Sequence, residues 1–458
     1  MADPEVGVTP YWELTFDADG DVDAQQRDRL LREVVDRGVK DLIVFAHGWN
    51  NDRPTATRLY SRFFEHVPAL APNARLGYVG VLWPSMRFTD EPIPDFARSL
   101  TAVSVGPALD KGTRSALLTA FPGRATLIDQ IARMLDQQPE GDTALEEYGR
   151  LVRLLVELRP EAPGAAFAAD TLADSGSPSG SPPGSPAEAA NDPRMFLGDT
   201  ARTCREFARA LADDEGGAEP GSERAQAAPR LARAWDGAHE LLRQATYFAM
   251  KRRAGTVGER GLGRLVGRLA RTAPGVRVHL VGHSFGGRLV SFALRGLPKG
   301  VRTVKSVTLL QAAFSHYAFS ARLPHDVRDS GVLHGQQDRI DGPLVCCFSR
   351  FDSALGTIYP LASRTAGDDR AAADLSLPPL PRLLGARWGA LGHDGVQAVS
   401  GTKAFTLADA LRAKLPASGC VNIDASAVVR RGGAPSGAHS DICHRELAQV
   451  VLAAGRIR

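Results

Sequence analysis

Residues 11–17, Tyr-Trp-Glu-Leu-Thr-Phe-Asp, alternate between apolar and polar positions. With Trp12, Leu14 and Phe16 on one side, the pattern predicts a half-buried strand at a sheet edge. A helical stripe follows in Leu30, Leu31, Val34 and Val35, closed by Gly38, and then comes the unbroken apolar run 42–46. A second helix near 53–67 leads to another apolar run, 76–83, which stops at Pro84. The same alternation returns later. Leu262, Leu265, Val266 and Leu269 fall at helical spacing, and 276–281 is a strand pattern that runs into Gly282-His-Ser-Phe-Gly-Gly287 and a further helix. Strand patterns at 304–312, 344–349 and 421–425 and a closing helix near 445–454 complete the series. Strands alternating with helices specify an α/β fold on a mostly parallel sheet covered on both faces.

Between the two halves, 91–257 departs from this rhythm. It reads as helices, one carrying Leu127, Ile128, Ile131, Met134 and Leu135, another placing Leu145, Tyr148, Val152 and Leu155 on one face behind the capping-box signal Thr143-Ala-Leu-Glu146. Near 174–193 the Ser/Gly/Pro tract lacks the apolar surface that would offset ordering, which predicts a flexible loop. The expected organisation is a core from 1–90 and 258–458 with a helical insertion, a lid or cap, over 91–257. Such an excursion leaves the sheet on the edge where ligands bind in folds of this class.

Composition narrows the function classes. Of 458 residues, 43% are hydrophobic and 23% charged, so a packed core is affordable and wholesale disorder is excluded. Net charge is only +3, which provides no whole-protein field for nucleic acid. With no run of 18 apolar residues, no integral membrane segment is expected. Five cysteines, two of them adjacent, do not make a disulfide framework, and together with the absence of a leader pattern they predict a cytoplasmic protein. One dense basic stripe, 251–268, reads foremost as a solvated helix face; the alternative is weak surface contact with anionic groups. Tyr247 and Met250 beside it are candidates to line a site entrance.

The strongest chemical signal is Gly282-His-Ser284-Phe-Gly286 between a strand and a helix. A nucleophile on so sharp a turn needs small neighbours, and the glycines supply them; the helix start offers N–H groups to developing negative charge. At these residues the chain resembles the α/β-hydrolase superfamily. The likeness extends to His47-Gly-Trp-Asn50 after the first buried strand, similar to that family's oxyanion loop, and to Trp83-Pro-Ser85, a trait of bacterial branches.

What the resemblance implies is a serine hydrolase. Ser284 would be the nucleophile, the backbone N–H groups of Trp49 and Phe285 the oxyanion hole, and His47 and Asn50 residues close to the substrate, His47 in a structural role. The family order of serine, acid, histidine points to Asp352, at the tip of the 344–349 strand. It leaves His393, His439 and His444 as bases. His439, after a Gly-rich run and before the closing helix, is favoured; His393, with no convincing strand before it, is the alternative. Neither a cofactor nor a metal is implied: His439, Asp441, Cys443 and His444 are too crowded to share one ion, and Gly261-Leu-Gly263 lacks the strand that a dinucleotide fingerprint requires. The implied substrate is a small-molecule or lipid-like carboxylic ester, as for esterases and lipases. A thioesterase, a peptidase or amidase, and a non-catalytic scaffold of the same fold are the alternatives.

Overall fold

The protein is represented by a computed structural model that describes residues 6–88, 109–156, 167, 169–172, 198–215, 230–355, 389–432 and 437–458. The expected flexible loop near 174–193 lies outside the described residues.

Eight strands form one sheet: β1 (Tyr11–Thr15), β2 (Asp41–Ala46), β3 (Leu76–Leu82), β5 (Arg277–His283), β6 (Val304–Leu310), β8 (Pro343–Phe348), β9 (Lys403–Thr406) and β10 (Gly419–Asp424). Two short strands, β4 (Thr171–Leu172) and β7 (Ser330–Gly331), pair separately and antiparallel. The large sheet runs β1-β3-β2-β5-β6-β8-β10-β9, and every ladder in it is parallel.

Alternation along each strand divides the core. Leu42, Val44 and Ala46 of β2 join one apolar cluster, whereas Ile43 and Phe45 join the other, on the opposite face. Covering both faces explains why the central strands are continuous apolar runs. The first cluster continues into the helices of the middle segment through Leu117, Ile128, Ile131, Leu145, Tyr148 and Trp235. A long helix, Arg230–Thr256, passes through a π-helical turn, Val257–Leu262, into the helix Gly263–Thr272. The boundary expected at 257/258 therefore falls inside a continuous helical stretch. That turn packs against the helix Phe285–Gly296 so closely that a Cβ on Gly258 would lie 2.2 Å from the Leu289 carbonyl oxygen.

Three expectations about the chain are corrected. The first strand stands at the sheet edge, yet Tyr11 to Leu14 are all buried: Trp12 and Leu14 join one apolar cluster, Tyr11 the other, and Glu13 pairs with Arg53. The stripe of the first helix, Ala24–Asp36, buries Leu30 and Val34 but leaves Val35 exposed. The basic stripe is no single solvated face: Arg260, Arg264 and Arg268 are exposed, whereas Lys251 is buried on an ion pair with Asp170, 2.9 Å away. Among the described residues, no helix is long and apolar enough to cross a membrane.

Candidate active site

The order in which successive strands are added reverses between β2 and β5, since β3 lies outward of β2 on one side and β6 outward of β5 on the other, while all the strands stay parallel. A crevice opens at the C-terminal ends of two such strands. The loop 47–50 leaves one of these ends, and Ser284 follows the other.

Ser284 has φ 55° and ψ −123°, a backbone conformation that L-residues avoid at a cost of about 1–3 kcal/mol. Surrounding bonds over-determine it: its N–H donates to the Leu310 carbonyl at 3.1 Å, and its own carbonyl accepts from Gly287 at 3.0 Å and Ala313 at 3.2 Å. The turn is tight enough to demand glycine on both sides. A Cβ on Gly282 would lie 2.4 Å from the Gly286 carbonyl oxygen, and one on Gly286 would lie 1.9 Å from that of Ala46.

Two loops bring the remaining side chains to this turn. Beyond β8, Asp352 is fully buried and accepts the Leu355 N–H on Oδ1 at 3.1 Å. Beyond β10, the segment carrying His439 is pinned by the Ala438 N–H to the Phe351 carbonyl at 2.9 Å. Asp441 braces the same segment, accepting the N–H groups of Arg430 and Arg431 at 2.9 and 2.8 Å and pairing with His444 Nε2 at 2.8 Å. His439 Nδ1 then lies 2.8 Å from Asp352 Oδ2, and its Nε2 lies 2.9 Å from Ser284 Oγ. A carboxylate only accepts, so Nδ1 carries the proton and Nε2 is left to receive the serine hydroxyl.

His393, the alternative base, is held elsewhere. Its Nδ1 lies 2.8 Å from Asp394 Oδ1, and His316 Nδ1 takes the other carboxylate oxygen at 3.0 Å. Asp394 raises the His393 pKa, and its own carboxyl is held below the usual range by the two imidazoles. His444 stands at the cap position of the helix Arg445–Gly455 and not within it. Among the described residues, no group of three or more His, Cys, Asp or Glu is arranged to hold a metal ion.

The loop 47–50 lies directly over the serine. His47 does not face the site: it is buried, stacks on Trp83 at 5.6 Å, donates Nδ1–H to the Gly48 carbonyl at 2.8 Å and receives the Trp83 N–H on Nε2 at 3.5 Å. Burial pushes its pKa down to about 4, and both ring nitrogens are engaged within the protein. Asn50, at φ 62°, ties the loop down, donating its N–H to the Met86 carbonyl and accepting the Phe88 N–H, each at 2.9 Å. Met250, expected at an entrance, is fully buried. Tyr247 is half-buried and packs its ring against those of both Trp49, at 5.2 Å, and Phe285, at 4.7 Å. Phe285 opens its helix, where N–H groups lack partners within the helix.

Two features of the site were not anticipated from sequence. One is His283, whose Nε2 lies 2.9 Å from the His439 carbonyl oxygen. The other is a buried clamp beneath the nucleophile helix, in which Arg288 and Lys251 share Asp170. Both involve residue types that a linear reading assigns to turns or to solvent, and only the Gly-His-Ser spelling hinted at the first. Comparison with protein-family models, with curated proteins and with solved structures finds no match to this chain.

Proposed function

We propose that the chain is a serine hydrolase of the α/β-hydrolase type, cleaving carboxylic esters through an acyl-enzyme. The observation that carries this reading is the continuous chain Ser284 Oγ, His439 imidazole, Asp352 carboxylate, with contacts of 2.9 and 2.8 Å, built on a strained serine at the reversal point of a parallel sheet. A serine hydroxyl is a poor nucleophile unless a base takes its proton as it attacks. In the proposed reaction Ser284 Oγ bonds to the ester carbonyl carbon while its proton passes to His439 Nε2. The buried Asp352 carboxylate stabilises the resulting imidazolium and keeps the ring in the productive tautomer. Negative charge on the former carbonyl oxygen meets the N–H groups of Trp49 and Phe285. His439 then protonates the departing alkoxide, and water repeats the sequence to free the acid.

The ester as substrate class rests on analogy with the superfamily; thioesters and amides would use the same steps. Hydrolysis of short and long acyl esters by wild type and Ser284→Ala tests the proposal. A loss on the order of 10⁴-fold or more in kcat supports it. Equal rates would leave a non-catalytic scaffold as the better reading, and a preference for thioesters or amides would redirect the substrate class.

A further inference from the structure

The geometry points to His283 as a positioning residue for the base: its Nε2–H holds the main-chain carbonyl of His439 and so keeps that imidazole between Ser284 and Asp352. The inference rests on the hydrolase reading above.

His283 is the last residue of β5, a buried central strand, whereas His439 stands on a connection outside the sheet. Neighbours of His439 are tied to loops: Ala438 to Phe351, and Arg430 and Arg431 to Asp441. The bond of 2.9 Å from His283 joins the peptide of His439 to the strand itself. Because His283 immediately precedes Ser284, the nucleophile and the anchor of its base share one rigid turn. Movement of His439 is thereby resisted at the point where it would lengthen the Ser284–His439 contact.

The protonation state follows from the partner. A carbonyl only accepts, so the proton must be on Nε2. Nδ1 is buried and meets no hydrogen-bond partner among the described residues. A buried acceptor left unpaired costs stability, and the one hydrogen bond of the ring is the one to the His439 carbonyl. His47, by contrast, has both nitrogens satisfied. Burial, with a smaller contribution from His439, pushes the His283 pKa down to about 3. The two rings are 5.1 Å apart, so a neutral His283 places no like charge beside the imidazolium that forms on His439 during the reaction.

Two variants and one spectroscopic measurement on the full chain test this. In His283→Gln the amide nitrogen reaches the place of ring Nε2, and in His283→Asn it falls short. The expectation is a Gln variant within about threefold of wild-type kcat and an Asn variant reduced about tenfold to a hundredfold at nearly unchanged KM, the scale expected when a reacting group is misplaced. Wild-type kcat in the Asn variant, or a Gln variant as slow as Asn, would overturn the proposal. Should either fail to fold, ¹⁵N histidine spectra of the wild type decide: His283 is expected neutral with its proton on Nε2 from pH 8 to 5, and a ring that titrates near 6.5 or carries its proton on Nδ1 would refute the anchor. A wild type inert toward esters and toward serine-directed probes would instead sink the hydrolase reading, and the spectra report on the bond whichever way that falls.

Discussion

Gly48 lies so close to Ser284 that a Cβ built on the glycine would sit 2.5 Å from the serine Cβ and 3.1 Å from its Oγ. The loop after β2 and the turn after β5 are thus in van der Waals contact at the nucleophile. A methyl group there must displace one of them. Gly48→Ala is expected to slow ester hydrolysis by about 100-fold, since displacement by about 1 Å at a reacting group costs that much. Steady-state kinetics checks this, and a fully active Gly48→Ala enzyme would mean that the loop does not bear on the serine.

Asp441 never touches the serine, yet both its oxygens brace the segment that presents His439, through Arg430, Arg431 and His444. Asp441→Ala removes three bonds at once. A fall of about tenfold or more in kcat is expected, with KM little changed, because the proposed effect is on the placing of His439. Circular dichroism alongside the kinetics separates this effect from unfolding.

The clamp below the nucleophile helix makes a stability prediction. Arg288, fully buried, pairs with Asp170, donates to the carbonyls of Phe167 and Ala169 at 2.7 and 2.8 Å, and lies over the Phe292 ring at 4.5 Å. Lys251 is buried on the other oxygen of the same carboxylate. Asp170→Asn removes the buried carboxylate charge that Arg288 and Lys251 share, for which a loss of about 3–5 kcal/mol is expected. Urea unfolding measures it; a loss below about 1 kcal/mol would contradict a stabilising role for the shared carboxylate charge.

Stability should also depend on pH through buried imidazoles. Burial lowers the pKa of His47 from 6.5 to about 4 and that of His283 from 6.5 to about 3, and it lowers His279 as well. His47 and His283 stay neutral in the folded chain at pH values where the unfolded chain binds a proton. Stability from these groups is therefore complete above pH 6.5 and is lost as pH falls toward 4. His47 and His283 each contribute a slope of about 1.4 kcal/mol per pH unit in that window, and His279 adds in the same direction. His393, raised by Asp394, works in the opposite sense. Urea midpoints at pH 7, 5.5 and 4.5 should fall steadily, and His283→Gln should show a shallower fall than wild type. Unchanged midpoints would contradict neutral burial of these rings.

Much of the sheet was legible because its strands are buried on both faces, so β2, β3, β5, β6, β8 and β10 stand out as apolar runs. The strand β9 did not, since Lys403, Ala404 and Thr406 are exposed and its formation depends on pairing with β10. Ser284, Asp352 and His439 could be chosen because chain order and the ends of predicted strands constrain them. His283 and the Asp170–Lys251–Arg288 clamp could not, because a charged or polar residue betrays its burial only through partners distant in the chain. Arg288 and Asp170 are 118 residues apart, and no local pattern links them. The same limit placed Met250 and His47 near substrate, where the fold buries both.

Reaction of the serine with a fluorophosphonate probe, followed by peptide mapping, addresses the central claim most directly. The adduct is expected on Ser284 alone, absent from Ser284→Ala, and formed far more slowly in His439→Ala, since in the proposed mechanism the imidazole 2.9 Å away activates the hydroxyl. An adduct mapped to another residue, or wild-type labelling of the His439→Ala protein, would contradict the account.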